Sequence, residues 1–167
     1  MRTVFPPVHD NRLEPLSAAD AGVLVGNART LQRVAEAGRS GALLRGKNFG
    51  LLCASVGGDE AAAFRSAAIG LGAHVAHIVP SLTDASTHEV LGDTARMLGR
   101  LYDGIECVGE TPAFVRRLAD AAGVPVYGGL ASPGHTTAGL ATCLGGSATP
   151  AQSRHYMIQS VLLSTVG

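Results

Sequence analysis

Ser55, Gly57, Gly58, Asp59 and Glu60 are the residues of this sequence whose types and spacing best suit binding chemistry. An apolar run precedes them and a helical periodicity follows, so Gly57-Gly58 reads as a strand-to-helix turn. Such a turn presents backbone amides at a helix N-terminus and can seat an anion. Ser55 adds a hydroxyl to the same turn. Asp59 and Glu60 fall in the first helical turn, where each complements the helix dipole by about 0.3–1 kcal/mol. The same charges repel a phosphate, because like unit charges ~4 Å apart cost about 4 kcal/mol at an effective dielectric near 20. Two other roles stay open for the pair: binding a cation or cationic ligand, or plain capping of the helix. Arg65, a turn and a half further on, can neutralise part of this charge or pair with a carboxylate.

His135-Thr136-Thr137 is a second polar group, either a ligand contact or a helix-start or interface segment. His74 and His77 stand three apart in an extended run, so they project to opposite faces and cannot chelate one metal. His88 falls in a helical first turn and is expected to be solvated. Arg96 suits a structural salt bridge or a ligand contact. Cys53, Cys107 and Cys143 are widely spaced, odd in number and without an adjacent base. They read as reduced thiols of a cytoplasmic protein, with no nucleophile, disulfide frame or zinc site. No metal and no cofactor are expected.

The elements that position these groups alternate along the chain. Ser17 caps a helix with Asp20 at its third position, Leu24, Ala28, Leu31 and Ala35 on its face, and Gly38 as the stop. Residues before Ser17 look irregular. A strand is predicted over 48–54, a helix from Asp59 to Leu71, and a second strand over 74–79 closed by Pro80. Ser86 and Glu89 form a capping-box pair, and Val90, Thr94, Met97, Leu98 and Leu101 follow as that helix's apolar face. A third strand is expected over 103–108. The next helix has Thr111 as cap, Pro112 at its first position and Gly123 at its end, with Phe114, Leu118 and Ala121 on one face. A strand over 124–128 and a weak helix over 136–144 follow. Thr149, Pro150 and Gln152 open the last helix, whose apolar stripe is Met157, Ile158, Val161, Leu162 and Thr165. Strands alternating with helices give an α/β fold, a small parallel sheet with helices on both faces.

Composition narrows the function classes. The 167 residues suit one domain, and 46% hydrophobic against 16% charged residues suffices for a packed core. Thirteen basic residues balance thirteen acidic ones, so no electrostatic argument favours nucleic acid or an anionic membrane as partner. No apolar stretch approaches the roughly 20 residues that span a bilayer. The first residues, Met1 to Pro7, lack the apolar core of a signal peptide.

Residues 46–141 resemble the carbamoyl-phosphate domain of the transcarbamoylases, the aspartate and ornithine carbamoyltransferases. Gly92-Asp93-Thr94-Ala95-Arg96-Met97-Leu98 is similar to the family's helix with D-T-A-R-x-L. Asp103-Gly104-Ile105 follows. Val124-Pro125-Val126-Tyr127-Gly128-Gly129-Leu130 then resembles the family's V-P-V-I-N-G-L strand. His135-Thr136-Thr137-Ala138 falls where the family carries H-P-x-Q. Arg154 to Leu163 looks like the family's final helix, which returns from the second, amino-acid-binding domain. Here residues 142–150 are a short linker in place of that domain, and 151–167 form the returning helix. The resemblance implies one domain over 1–167 and a homotrimer built through it.

The binding motif departs from the family. Its S-T-R-T-R signature aligns so that the first arginine falls on Asp59 and the second on Ala61. A further family arginine falls on Val108, and the glutamine of H-P-x-Q on Ala138. His135, which in the family polarises a carbonyl, keeps its identity. The expected ligand-binding set is Ser55, Gly57, Gly58, Asp59, Glu60, His135, Thr136 and Thr137, with His135 the only catalytic candidate if activity survives. The favoured function is a pseudoenzyme with an assembly, regulatory or partner-binding role, a partner enzyme included. One alternative is an aspartate/ornithine carbamoyltransferase-type enzyme or subunit of amino-acid or pyrimidine metabolism, whose site a neighbouring chain completes, as the family shares sites across subunits. Another is a small-molecule sensor using the remodelled pocket.

Overall fold

The computed structural model describes residues 16–39 and 41–167. The irregular start expected before Ser17 lies, except for Leu16, outside the described residues. Five helices and four strands alternate: α1 (Ala18–Glu36), β1 (Asn48–Leu52), α2 (Asp59–Gly70), β2 (His74–Ile78), α3 (His88–Leu101), β3 (Gly104–Cys107), α4 (Pro112–Ala122), β4 (Val126–Gly128) and α5 (Pro150–Val166). The strands form one parallel sheet in the order β2-β1-β3-β4. The predicted α/β fold with a small parallel sheet is the one observed.

Alternating side chains divide the interior into two cores. Phe49, Leu51 and Tyr127 face a core closed by α1, α2 and α5. Leu52, Ile105 and Cys107 face the other, closed by α3 and α4. The first contains a cluster of rings, with Phe64 edge-on to Phe49 at 5.9 Å between centroids and tilted against Tyr127 at 6.4 Å.

Most helix ends follow the sequence signals. The Asp20 amide donates to Ser17 Oγ at 3.0 Å. At the far end of α1, Gly38 turns left-handed and the Arg39 amide closes back on Val34 O at 3.0 Å. This six-to-one closure needs the positive φ that glycine takes without strain. Thr111 and Thr149 cap α4 and α5 as expected, and Thr149 forms the full box with Gln152.

Three local expectations fail for identifiable reasons. The cap of α3 is Thr87, whose hydroxyl accepts from the Val90 amide at 3.3 Å. Ser86 is occupied instead by a turn, its Oγ accepting from the Thr83 amide at 2.9 Å. On α3 itself the buried residues are Leu91, Gly92, Ala95 and Leu98, while Val90, Met97 and Leu101 are exposed. Two apolar stripes share this helix, and periodicity alone does not rank them. The weak helix near 136–144 is a 3-10 turn over Gly139–Cys143.

Helix α5 is buried almost all round rather than along one stripe. Its polar residues are satisfied internally: Ser160 Oγ donates to Leu24 O at 2.7 Å, and Asn27 Nδ2 donates to Ser164 Oγ at 2.9 Å. Gln159 Nε2 donates to Ala67 O at 3.1 Å. Such pairing is required, because a buried polar group without a partner costs roughly 1–3 kcal/mol.

Candidate functional site

In a parallel α/β sheet, ligand chemistry collects beyond the carboxyl ends of the strands. Here that edge is built by the turn after β1, the loops after β2 and β3, and the segment 129–138 after β4. The first and the last of these carry the residues that the sequence marks as candidates.

The turn after β1 is open. Ser55, Gly57, Gly58 and Asp59 are exposed and Glu60 is half-buried. Ser55 Oγ accepts from the Gly57 amide at 3.3 Å, so the hydroxyl closes its own loop. Gly58 is the N-cap of α2 and offers no side-chain cap. Neither glycine has a positive φ, and a Cβ on Gly58 would meet nothing within 4 Å. The pair is therefore not demanded by backbone conformation or crowding. Among the described residues Arg65 forms no ion pair, so it does not neutralise Asp59 or Glu60 through one.

The segment after β4 is far more constrained. His135 Nδ1 lies 2.9 Å from Thr137 Oγ1 and accepts from the Thr137 amide at 3.2 Å. Arg154, on α5, donates through Nη1 to Thr137 Oγ1 at 3.1 Å and through Nη2 to the carbonyls of Leu130 and Ser132. Because the Thr137 amide donates to Nδ1, that nitrogen is the acceptor of the neutral ring. The imidazole proton then sits on Nε2, free to donate to a carbonyl-type oxygen. Burial, and next the charge of Arg154, push the His135 pKa down to about 4, so the ring is neutral near pH 7. Thr136 is exposed and belongs to no hydrogen bond of this network.

Behind this segment lies Glu106, in the middle of β3 and fully buried. Its two carboxylate oxygens accept from the Leu130 amide at 3.1 and 3.0 Å. Burial raises its pKa well above the ordinary 4.5, the amides of Leu130 and Gly129 oppose this, Glu60 adds to the rise and Arg154 opposes it. Glu60 comes close from the other side: its Oε2 would lie 3.8 Å from a Cβ on Gly129. The structure thus brings together Glu60, His135 and Thr137 from the expected set, with Glu106 and Arg154 added. Among the described residues Ser55, Asp59 and Thr136 share no hydrogen bond or ion pair with that group. Glu106 is not legible in the sequence, because a charged residue inside an apolar strand reads as exposed until the sheet is built. Arg154 was visible only as part of a helix pattern.

Other candidates resolve simply. Val108 and Ala138, at the positions of family polar residues, carry apolar side chains, and Val108 packs against the first core. Arg96 pairs with Asp93 on its own helix. His77 Nε2 bonds Cys53 O at 2.7 Å. Burial raises the thiols of Cys53 and Cys107, which opposes thiolate chemistry. Among the described residues no three His, Cys, Asp or Glu side chains gather as a metal set, and no helix is long and apolar enough to cross a membrane.

A four-stranded parallel sheet flanked by helices, with a histidine-bearing loop at its carboxyl edge, places the chain in the α/β class. Residues 9–144 match the family described as aspartate/ornithine carbamoyltransferase, carbamoyl-P binding domain, and the chain belongs to that family. The ornithine carbamoyltransferase of Cutibacterium acnes is 41% identical over 128 residues, covering 77% of this chain and 38% of that protein. Among solved structures, the ornithine carbamoyltransferase of Pyrococcus furiosus superposes with a TM-score of 0.67 at 25% identity, over 84% of this chain and 44% of that one. Aspartate transcarbamoylase of Trypanosoma cruzi, in complex with N-(phosphonacetyl)-L-aspartic acid, gives 0.63 at 25% identity, over 84% and 47%. The chain spans about two fifths of the curated relative's length.

Proposed function

We propose that this chain is a transcarbamoylase-fold protein that does not itself transfer a carbamoyl group and acts instead in assembly or partner binding. The observation that carries this reading is the acidic turn: Asp59 and Glu60 occupy the α2 N-terminus. Arg154, the arginine beside the His135 loop, has its guanidinium engaged by two carbonyls and Thr137, and Arg117 is engaged by the carbonyls of Asp84 and Ser86. Residues 144–149 join the 3-10 turn directly to α5, so no amine-binding domain is inserted there. Carbamoyl transfer requires both reactants held together, and this arrangement supplies neither cradle in full. The homotrimer is part of the same reading and rests on the family.

Amide NMR with carbamoyl phosphate, which reads the Gly57 and Gly58 signals site by site, beside an assay of carbamoyl transfer, tests the proposal. The expected result is no saturable binding at the Gly57–Glu60 turn. Sub-millimolar binding there, with carbamoyl transfer to ornithine or aspartate, would overturn it.

A second reading has a specific observation behind it. The Arg154–Thr137–His135 network holds a neutral imidazole with Nε2–H available, as a carbonyl-binding group requires. It favours a subunit whose missing cations come from a neighbouring chain. Mixing with a full-length ornithine carbamoyltransferase distinguishes the two: new activity proportional to the mixed species supports the shared site.

A further inference from the structure

A recess of about 480 Å³ opens between the second half of α1 and the segment 144–147, and it shares no lining residue with the carboxyl-edge site. Arg29 and Arg33 line it from α1, one turn apart and hence on one face. Among the described residues neither meets a carboxylate. Arg29 Nη2 donates to Cys143 O at 2.7 Å, and Arg33 Nη2 to Thr30 Oγ1 at 3.3 Å. The carboxylate at the recess, Glu36, accepts from Gln32 Nε2 at 3.0 Å.

The opposite wall is a glycine turn of a different kind from Gly57-Gly58. Leu144 is right-handed helical, and Gly145 and Gly146 then take φ of +67° and +82°. A right-to-left-handed succession converges adjacent amides into a concavity suited to an anion. The amides of Gly145, Gly146 and Ser147 donate to no acceptor among the described residues. A Cβ on Gly146 would lie 2.9 Å from Gln32 Nε2, the movable end of a side chain, so the positive φ is what favours glycine there. Two arginines without acidic partners thus face unused amides across a volume in the range of small-molecule sites. The carboxyl end of the α1 dipole and Glu36 work against an anion, so the arginines must supply the affinity.

We propose that this recess binds a small dianion, a phosphate monoester or a dicarboxylate, and that this chain's anion seat lies here rather than at Gly57–Glu60. Arg29 and Arg33 grip the charged oxygens, and the 145–147 amides close on the same group. The test is amide NMR of the full chain titrated with inorganic phosphate and, in parallel, with succinate, at matched ionic strength. Saturable shifts of the Gly145, Gly146 and Ser147 amides are expected. Arg29→Gln with Arg33→Gln should weaken them by about tenfold for each arginine lost. Tighter binding of phosphate points to a phosphoryl ligand, and tighter binding of succinate to a dicarboxylate. Non-saturating shifts, shifts untouched by the double substitution, or shifts confined to Gly57–Glu60 would overturn the proposal. If the double variant loses its dispersed spectrum, Arg33→Gln alone carries the test, because among the described residues Arg33 bonds Thr30 on its own helix and no other element.

Discussion

Replacing Asp59 by Arg and Glu60 by Gln tests whether charge alone bars a phosphate from the α2 N-terminus. Position 61, the other family arginine position, is unsuitable: Ala61 is 1% exposed in the first core, and an arginine there has no route to water. The double change adds three units of positive charge, two at Asp59 and one at Glu60. Both residues reach solvent, so the water limit of about 1 kcal/mol per unit pair at ~4 Å applies. Against a dianion this sums to ~6 kcal/mol, and distances of ~6–8 Å with physiological screening reduce it to about 2 kcal/mol. That corresponds to a gain of roughly 30-fold in phosphate affinity. Losing two acidic groups from the first helical turn lowers stability by about 1 kcal/mol. Amide NMR with inorganic phosphate reads the Gly57 and Gly58 signals separately from those at Gly145 and Gly146. If the variant stays folded and phosphate affinity at this turn does not rise, electrostatic exclusion is the wrong explanation. The same holds if the parent protein already seats phosphate there.

Three further outcomes are expected. His135 should titrate near pH 4 by ring NMR, and because its folded pKa is depressed, its stabilising contribution is complete above about pH 6.5 and is lost as pH falls through 4; a midpoint near the free value would refute its burial with Arg154. Glu106 has a raised folded pKa, so stability is greatest below the ordinary carboxylate range and falls as pH rises through the folded value. Urea unfolding of Glu106→Gln across pH 5–8 should therefore gain on the parent as pH rises, and parallel curves would contradict this. Ser160→Ala removes a buried hydrogen bond to Leu24 O, which keeps its donor within α1, so the expected cost is about 1 kcal/mol by chemical denaturation.

The alternation of elements was legible because their ends are chemically marked. Ser17, Thr111-Pro112 and Thr149-Pro150-Gln152 each satisfy amides that a helix leaves open, and such local chemistry does not depend on the rest of the fold. Where two local solutions compete, as at Ser86 and Thr87, the winner is set from outside: Arg117 on α4 donates to Ser86 O at 2.7 Å. The candidate site was read in part. The 135–137 segment is continuous in sequence, so its polar residues could be grouped. Its supports, Arg154 and Glu106, come from α5 and β3, and only the folded sheet brings them to the loop. The glycine pairs show the same limit. Gly57-Gly58 and Gly145-Gly146 look alike as letters, yet only the second takes the left-handed backbone that requires glycine.

Ser160 and Ser164 on α5 meet Leu24 and Asn27 on α1, across sequence separations of 136 and 137 residues. The first core is thus completed by whichever of these two helices arrives later, and the encounter carries the loop-closure entropy of nearly the whole described chain. A protease nick within 144–149 would leave a body with an empty apolar trough and a short helical peptide shaped to fill it. The two pieces form a ready pair for fragment complementation, and their rate of rejoining would report directly on how slowly that trough is filled.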